Sequence, residues 1–148
     1  MTPGITKRER EVTDINEIKE ILDKSIIVHV GMIDGDEPYV VPMNYGYTLE
    51  DGELCIYLHG ATVGRKLDII KTNPKVFFEM ECDVTPFEGK VACQYGTTYA
   101  SVMGLGKAEV LETPEEKIDG LVKFMKTQTG KDFFFDEKMV SIVSVIKI

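Results

Sequence analysis

The spacing of apolar and polar residues predicts three helices. Asp14 is followed three residues later by Glu17, which is a capping-box pattern, and apolar residues then recur at helical spacing. A shorter helix is expected over residues 65–71, where an Asn-Pro pair ends it. The third helix begins at Thr113, which precedes a proline at the first helical position, and ends near Gly130. Each apolar face should pack against a sheet.

Segments rich in β-branched and apolar residues predict six strands. Turn sequences at residues 34–38 and 50–53 separate the first three, which should therefore form an antiparallel meander. These three strands are expected at residues 25–33, 39–48 and 54–59. The other three are expected at residues 75–80, 99–112 and 139–148, and the last of them should complete a barrel. The fold class is therefore mainly β, with flanking helices.

Two stretches carry weaker signals. Residues 83–96 contain Pro86 and Gly89, and they predict no regular element. Gly104 and Gly106 interrupt the strand expected at residues 99–112. Glycine inside a strand marks either a bulge or a close approach of the backbone to a ligand, and we favour the approach to a ligand.

Length and composition fit a single domain spanning residues 1–148. The 148 residues are 43% hydrophobic and 28% charged, close to globular averages. The apolar stretch that begins at Ile26 is interrupted by His29, so it is far shorter than the roughly 20 residues of a membrane span. Residues 1–11 are polar and mixed in charge, without the apolar run of a secretory signal. We therefore expect a cytoplasmic protein with no membrane partner.

The net charge and the remaining side chains limit the classes of ligand that we expect. The formal net charge of -8 opposes binding to nucleic acid, so any anionic ligand must be held by a local group of cations. No metal site is predicted, and His29 is expected to be a structural histidine within its strand. The thiols of Cys55, Cys82 and Cys93 include no C-x-x-C pair, so we expect them to be reduced and structural.

A glycine-rich loop at residues 60–66 joins a strand end to a helix start. It contains the hydroxyl of Thr62 and the cations Arg65 and Lys66. Unpaired N–H groups at a helix start favour an anion, while arginine and lysine can bind phosphate oxygens. The spacing differs from that of a Walker A loop. The loop is typical either of a phosphate site or of a solvated cationic start to a surface helix.

The segment Tyr39-Val40-Val41-Pro42-Met43-Asn44-Tyr45-Gly46-Tyr47 is a strand with an unusual composition. Pro42 interrupts ladder pairing, which leaves backbone groups free to meet the polar edge of a flat heterocycle. Asn44 offers both a hydrogen-bond donor and an acceptor. The alternative is an edge strand in which Pro42 has only a structural role.

Four motifs occur in order along the chain. They are residues 39–46, His59-Gly60-Ala61, Gly64-Arg65-Lys66 and Ser101-Val102-Met103-Gly104-Leu105-Gly106. Together they resemble the pyridoxamine 5′-phosphate oxidase-like flavoproteins, and most of all their nitroimidazole-resistance (Nim-type) branch. The resemblance extends over nearly the whole chain. It implies a six-stranded antiparallel FMN-binding split barrel that works as a homodimer, with one FMN in each of two grooves between the subunits.

The resemblance also implies which positions contact the cofactor. Arg65 and Lys66 would hold the FMN phosphate. His59 and Gly60 would lie beside the ring and the ribityl chain, and Ser101 would approach the flavin from the same or the partner subunit. The remaining expected cofactor contacts are Val41, Pro42, Met43, Asn44, Tyr45 and Thr62.

The Nim-type resemblance further implies an activity, the two-electron reduction of nitroaromatic compounds by reduced FMN. The cofactor then carries the chemistry, so no catalytic triad is needed. His59 either donates a proton to the acceptor, since an imidazole titrates near neutrality, or packs and hydrogen-bonds against the ligand.

Three alternatives remain open at this stage. One is a non-catalytic module that binds flavin or haem, motivated by the few acid–base groups. A second is a pyridoxamine phosphate oxidase proper, which the lack of a second Arg/His cluster near the C-terminus disfavours. The third is an oxidoreductase dependent on deazaflavin F420, which the net charge of -8 disfavours.

Overall fold

Two four-stranded antiparallel sheets form the structure, a computed structural model that describes residues 5–148. The first sheet has the strand order β2-β1-β5-β6 and the second has the order β3-β4-β8-β7. The strands are β1 Ile27–Asp34, β2 Glu37–Asn44, β3 Gly46–Glu50, β4 Glu53–Gly60, β5 Lys75–Phe87, β6 Gly96–Lys107, β7 Glu109–Leu111 and β8 Ser144–Lys147. The helices are α1 Ile15–Lys24, α2 Arg65–Thr72, α3 Pro114–Thr129 and α4 Glu137–Val140, with short 3₁₀ turns at Arg8–Arg10 and Ala92–Gln94.

The inner faces of the two sheets pack on one another to form the core. Alternate residues of β1 and β5 meet alternate residues of β4 and β8, as the two-residue period of a strand requires. Completely buried members include Val28, Val30, Met80, Leu58 and Ile146. The mainly β, antiparallel split-barrel prediction is confirmed, with eight strands rather than six. Residues 1–4, the start of the polar N-terminal segment, lie outside the described residues.

Both antiparallel pairings of the predicted meander are present, but its three strands do not form one sheet because the strand expected at residues 39–48 divides at Tyr45. This side chain is 1% exposed, and its Oη lies 2.6 Å from the carbonyl oxygen of Leu22 and 2.9 Å from that of Ser25. The buried phenol therefore ties the bend in the chain to the end of α1. As a result β2 pairs with β1, whereas β3 pairs with β4 in the other sheet. Burial raises the pKa of Tyr45 to about 12.

The strand expected at residues 99–112 divides in the same way, at Ala108. The N–H of this buried residue donates to the carbonyl oxygen of Pro74 at 2.8 Å, and the chain passes from β6 in the first sheet to β7 in the second. The two divisions account for the two additional strands. Each crossing lets one length of chain contribute to both sheets of the barrel.

Gly104 and Gly106 of β6 face core side chains, whereas we expected them to leave room for a ligand. A Cβ at Gly104 would lie 3.1 Å from the ring of Phe78, and one at Gly106 would lie 2.5 Å from the side chain of Ile148. The space beside both glycines is therefore filled by core side chains. The irregularity in this pair of strands lies instead on β5, between Cys82 and Thr85.

The helix predictions are confirmed, and two other segments differ from expectation. Asp14 caps α1 by accepting from the N–H groups of Asn16 and Glu17. The unassigned segment 83–96 is partly regular, since β5 continues to Phe87 and a 3₁₀ turn follows. The last predicted strand, 139–148, begins instead with the end of α4, and only Ser144–Lys147 is strand. Asp136 favours the helix because its side chain accepts from the N–H of Met139.

The two sheets differ in how their outer faces are covered. Helix α3 packs on the outside of the second sheet through the apolar cluster of Leu111, Leu121, Val140 and Val145. On the first sheet, apolar side chains point outward and remain exposed, among them Val40 (60%), Phe77 (45%), Met103 (59%) and Leu105 (78%). Within residues 5–148, no helix has the length and apolar character to cross a membrane.

Candidate functional site

A cleft at the edge of the first sheet brings together six of the predicted site residues. Its volume is about 320 Å³, and it is lined by Val41, Pro42, Met43, Asn44, His59 and Lys66. Strand β2 supplies the first four of these, the end of β4 supplies the histidine, and the first turn of α2 supplies the lysine. Pockets that hold cofactor-sized ligands usually enclose roughly 300–1,000 Å³. One chain therefore provides a small cleft that a larger ligand would overfill.

The wall formed by β2 is the free edge of the first sheet. Among residues 5–148 this strand pairs only with β1, so part of its backbone points away from the sheet without a ladder partner there. Val41 and Met43 are half-buried and pack against the core, which holds the strand in place. Pro42 and Asn44 alternate with them and are exposed. The edge can therefore present backbone groups and one carboxamide to a planar ligand.

The position of His59 is determined by helix α3. The imidazole contacts the ring of the buried Phe124 in an edge-to-face arrangement, with the ring centroids 4.6 Å apart and an interplanar angle of 87°. Its backbone pairs with Val145 of β8. The histidine is nevertheless exposed, so one side of its ring is available to a ligand in the cleft.

The start of α2 provides donors and a positive charge. Gly64 precedes the helix with a φ of 154°, a conformation that favours glycine, and no side chain from residues 5–148 caps the helix. The N–H groups of Arg65 and Lys66 therefore have no helical partner. Lys66 is half-buried and lies against Gly60, where an added Cβ would be 3.4 Å from its Nζ. Within the described residues this lysine has no ion-pair partner, so its charge is available to an anion.

The side chain of Arg65 does not line the cleft. Its Nε donates to Asp34 Oδ2 at 2.9 Å, one of its terminal nitrogens lies 3.6 Å from Glu37 Oε2, and its guanidinium stacks 4.4 Å from the ring centroid of Tyr39. These contacts join the start of α2 to the turn between β1 and β2. The two cations that the sequence placed together thus face different surroundings.

The other predicted contacts lie outside the cleft lining of the single chain. Tyr45 is in the core, and Thr62 lines a neighbouring hollow of about 220 Å³ together with Lys71 and Lys117. Gly60 lies against the side chain of Lys66. Ser101 lies on β6, three strand spacings from β2, which is about 14 Å at the usual interstrand distance.

Sequence reasoning missed the residues that position the predicted ones. Phe124 lies within the third predicted helix without a motif of its own, and its contact with His59 follows from the packing of α3. Asp34 and Glu37 were identified only as turn residues. Their sequence signal is the unusual density of carboxylates in that turn, which could have suggested a cationic partner.

Comparison with known proteins places these features in a family. The sequence profile of the pyridoxamine 5′-phosphate oxidase family matches residues 14–138. A candidate 5-nitroimidazole antibiotic resistance protein from Bacteroides thetaiotaomicron has a similar structure, with 31% identity, a TM-score of 0.76, and coverage of 92% of this chain and 79% of its own. No curated protein sequence matched the chain.

Two further solved structures share the fold at lower identity. A flavocytochrome from Azotobacter vinelandii is 20% identical with a TM-score of 0.72, and the alignment covers 99% of this chain and 72% of that one. An FAD and haem binding protein from Mycobacterium smegmatis is 15% identical with a TM-score of 0.78, and the alignment covers 94% of this chain and 67% of that one.

These comparisons confirm the resemblance drawn from the four sequence motifs. The profile spans most of the chain, from the cap of α1 to α4, and includes every residue that lines the cleft. The relative from Bacteroides thetaiotaomicron agrees with it in both sequence and fold. The protein therefore belongs to the pyridoxamine 5′-phosphate oxidase family.

Proposed function

We propose that this protein is a homodimeric, FMN-dependent oxidoreductase that reduces nitroaromatic compounds, 5-nitroimidazoles among them. The proposal rests on one cleft that combines an exposed histidine, the edge of a strand and a lysine at a helix start that has no ion-pair partner in the described part of the chain. The 31% identical relative, described as a candidate 5-nitroimidazole antibiotic resistance protein, supports the choice of substrate class.

The residues present fit the phosphate of FMN. A phosphate requires several donors and a positive charge, and the first turn of α2 provides N–H groups, a helix dipole and Lys66. The overall charge of -8 would repel a ligand with a longer anionic tail more strongly, which favours FMN over F420. Lys66 would bind the phosphate and orient the rest of the molecule along the cleft.

The residues at the other end of the cleft fit a flavin ring. The edge of β2 would hydrogen-bond the polar side of the ring, and Val41 and Met43 would exclude water from the core side. When bound, FMN supplies the two-electron transfer. Converting a nitro group to a nitroso group and water consumes two electrons and two protons, and the imidazole of His59 can hold a proton beside the bound acceptor.

Two observations support a second copy of this chain as part of the site. The cleft of one chain is small for FMN, and Ser101, which the family resemblance assigns to the flavin, lies on the far edge of the same sheet. The outer face of that sheet exposes Phe77, Met103 and Leu105 next to Ser101. Association through this face would bury the apolar side chains and bring Ser101 of one copy toward the cleft of the other.

A charged residue in the centre of this face should dissociate the dimer. Leu105→Lys is expected to weaken association at least about 100-fold, because a two-fold contact loses two buried leucines and gains two desolvated charges. Sedimentation velocity over a dilution series measures this. Phe134→Lys is the matched control, since Phe134 is equally exposed (81% against 78% for Leu105) but lies outside this sheet. Equal association constants for the two variants would place the dimer contact on another surface. A monomeric unsubstituted protein would contradict the dimer.

Cofactor and activity can be tested on the purified chain. We expect added FMN to bind and to show the flavin absorbance bands, and we expect the reduced, FMN-loaded protein to be reoxidised by a 5-nitroimidazole in a two-electron process. Dithionite or reduced nicotinamide serves as the reductant. His59→Gln should retain the flavin spectrum but slow the reoxidation by about 100-fold or more if the imidazole donates a proton.

Other results of this titration would contradict the proposal in identifiable ways. A protein that binds haem but not FMN would show that haem, and not FMN, is the cofactor. Bound FMN that can be reduced but passes no electrons to nitroaromatics or quinones would indicate a non-catalytic binding module. An unchanged reoxidation rate in His59→Gln would show that the histidine packs against the ligand and does not donate the proton.

A further inference from the structure

Three side chains that the proposed reaction does not use meet on the outer face of the first sheet. His29 Nδ1 lies 3.2 Å from Glu79 Oε2 and 3.8 Å from Glu81 Oε2. One ligand atom from each residue lies within 4.8 Å of the other two. His29 on β1 is directly paired with Glu79 on β5, and Glu81 follows two residues later on the same face. Two central, paired strands therefore hold the group in place.

The charges in this group are not balanced. Two carboxylates lie here beside a single imidazole. Glu81 Oε2 has no solvent-accessible surface and no hydrogen-bond partner among the described residues. A buried carboxylate oxygen without a partner is costly. Within the described residues, Glu81 Oε2 therefore has His29 at ion-pair distance but no hydrogen-bond donor.

The distances match those around a small metal ion. Zinc binds histidine nitrogen and carboxylate oxygen at about 2.0–2.2 Å, so two ligands of a tetrahedral zinc lie about 3.4 Å apart. The nitrogen–oxygen distances of 3.2 and 3.8 Å lie on either side of this value. One nitrogen and two carboxylate oxygens also form a donor set that suits divalent transition metals.

We propose that His29, Glu79 and Glu81 bind a divalent transition-metal ion, for which Zn²⁺ is the test ligand. The ion would contact the unpartnered oxygen of Glu81 and relieve the repulsion between the two carboxylates, and a water would complete the coordination. The site lies on the outer face of the first sheet, where His29 is the cross-strand neighbour of the cleft residue Pro42. The proposal does not depend on flavin binding or on nitroreduction.

Because the chain has two histidines, their NMR signals can report zinc binding at each histidine separately. In a titration of the full chain with Zn²⁺, followed by the imidazole NMR signals, the signals of His29 should shift to saturation at one equivalent, and those of His59 should not. A His59→Gln variant assigns the signals. Zinc binding to a cysteine would leave the His29 signals unchanged, so this readout separates the two sites.

Single substitutions test whether each of the two carboxylates binds the metal ion. Glu79→Gln and Glu81→Gln should each weaken Zn²⁺ binding at least about tenfold, because even groups that only orient a metal ligand are worth 10- to 100-fold. Glu109→Gln makes the same change of charge at an exposed position of β7, in the other sheet, and should have no effect. Far-UV circular dichroism confirms that each variant is folded.

Association of two copies could cover this face, so the titration is repeated on Leu105→Lys. No shift of the His29 signals at millimolar Zn²⁺ in either protein would overturn the proposal, as would equal affinities of Glu79→Gln, Glu81→Gln and Glu109→Gln. His29 signals that respond to pH but never to zinc would identify the group as an ion pair between an imidazolium and two carboxylates.

Discussion

Replacing Gly46 by alanine is expected to destabilise the protein by about 3 kcal/mol or more. An added Cβ would collide with the Cα of Phe124 and lie 2.9 Å from the backbone nitrogen of the same residue and 3.0 Å from the carbonyl oxygen of Lys123. All three atoms belong to the backbone of α3, so no side-chain rotation can relieve the contact. The free energy of unfolding in urea, compared with that of the unsubstituted protein, measures the effect.

The control for this substitution is Gly35→Ala. Gly35 has a φ of 68°, but an added Cβ would meet no atom within 4 Å. Its expected cost is therefore only the conformational one, roughly 1–2 kcal/mol. Equal losses for both variants would mean that β3 and α3 do not approach as closely as the structure shows. Because α3 also carries Phe124, Gly46→Ala should disturb the position of His59 as well.

Lys66→Ala is expected to lower the affinity for FMN by about 10- to 100-fold while leaving the affinity for riboflavin nearly unchanged. A charge-assisted hydrogen bond contributes roughly 1.5–3 kcal/mol, and riboflavin has no phosphate to receive it. Fluorescence titration with the two flavins measures the difference. Equal losses for FMN and riboflavin would show that Lys66 supports the shape of the cleft rather than the phosphate.

Two further variants separate the cations of this helix. Lys71→Ala removes the same charge from the far end of α2, outside the cleft, and should leave FMN binding within about twofold. Arg65→Ala should have a smaller effect than Lys66→Ala, because Asp34, Glu37 and Tyr39 already hold the guanidinium. A larger loss for Arg65→Ala would mean that the arginine leaves these partners when FMN binds.

Local signals in the sequence were sufficient for the helices and for most of the cleft. Helix caps such as Asp14 and turns such as Asp51-Gly52 act over three or four residues, so a single sequence reveals them. The loop 60–66 and the Pro42 strand were identified for the same reason. That they form one cleft followed from the family resemblance and not from either motif alone.

The two crossings between sheets could not be predicted from the sequence. The alternation of apolar positions with polar residues or glycine continues on both sides of Tyr45 and Ala108, so each stretch has the pattern of one long strand. The break at Tyr45 depends on its hydrogen bonds to residues at the end of α1, 20 and 23 positions away. A local pattern carries no information about such partners.

The sequence by itself determined the fold class, the family and the types of side chain available to a ligand, because periodicity and short motifs are properties of neighbouring residues. Only the tertiary structure separated Lys66 from Arg65 and joined His29 to Glu79 and Glu81. These assignments depend on contacts between residues far apart in the chain, 31 positions for Arg65 with Asp34 and 50 for His29 with Glu79. Strand pairing and helix packing create such contacts, so the charge each group meets is decided only when the chain has folded.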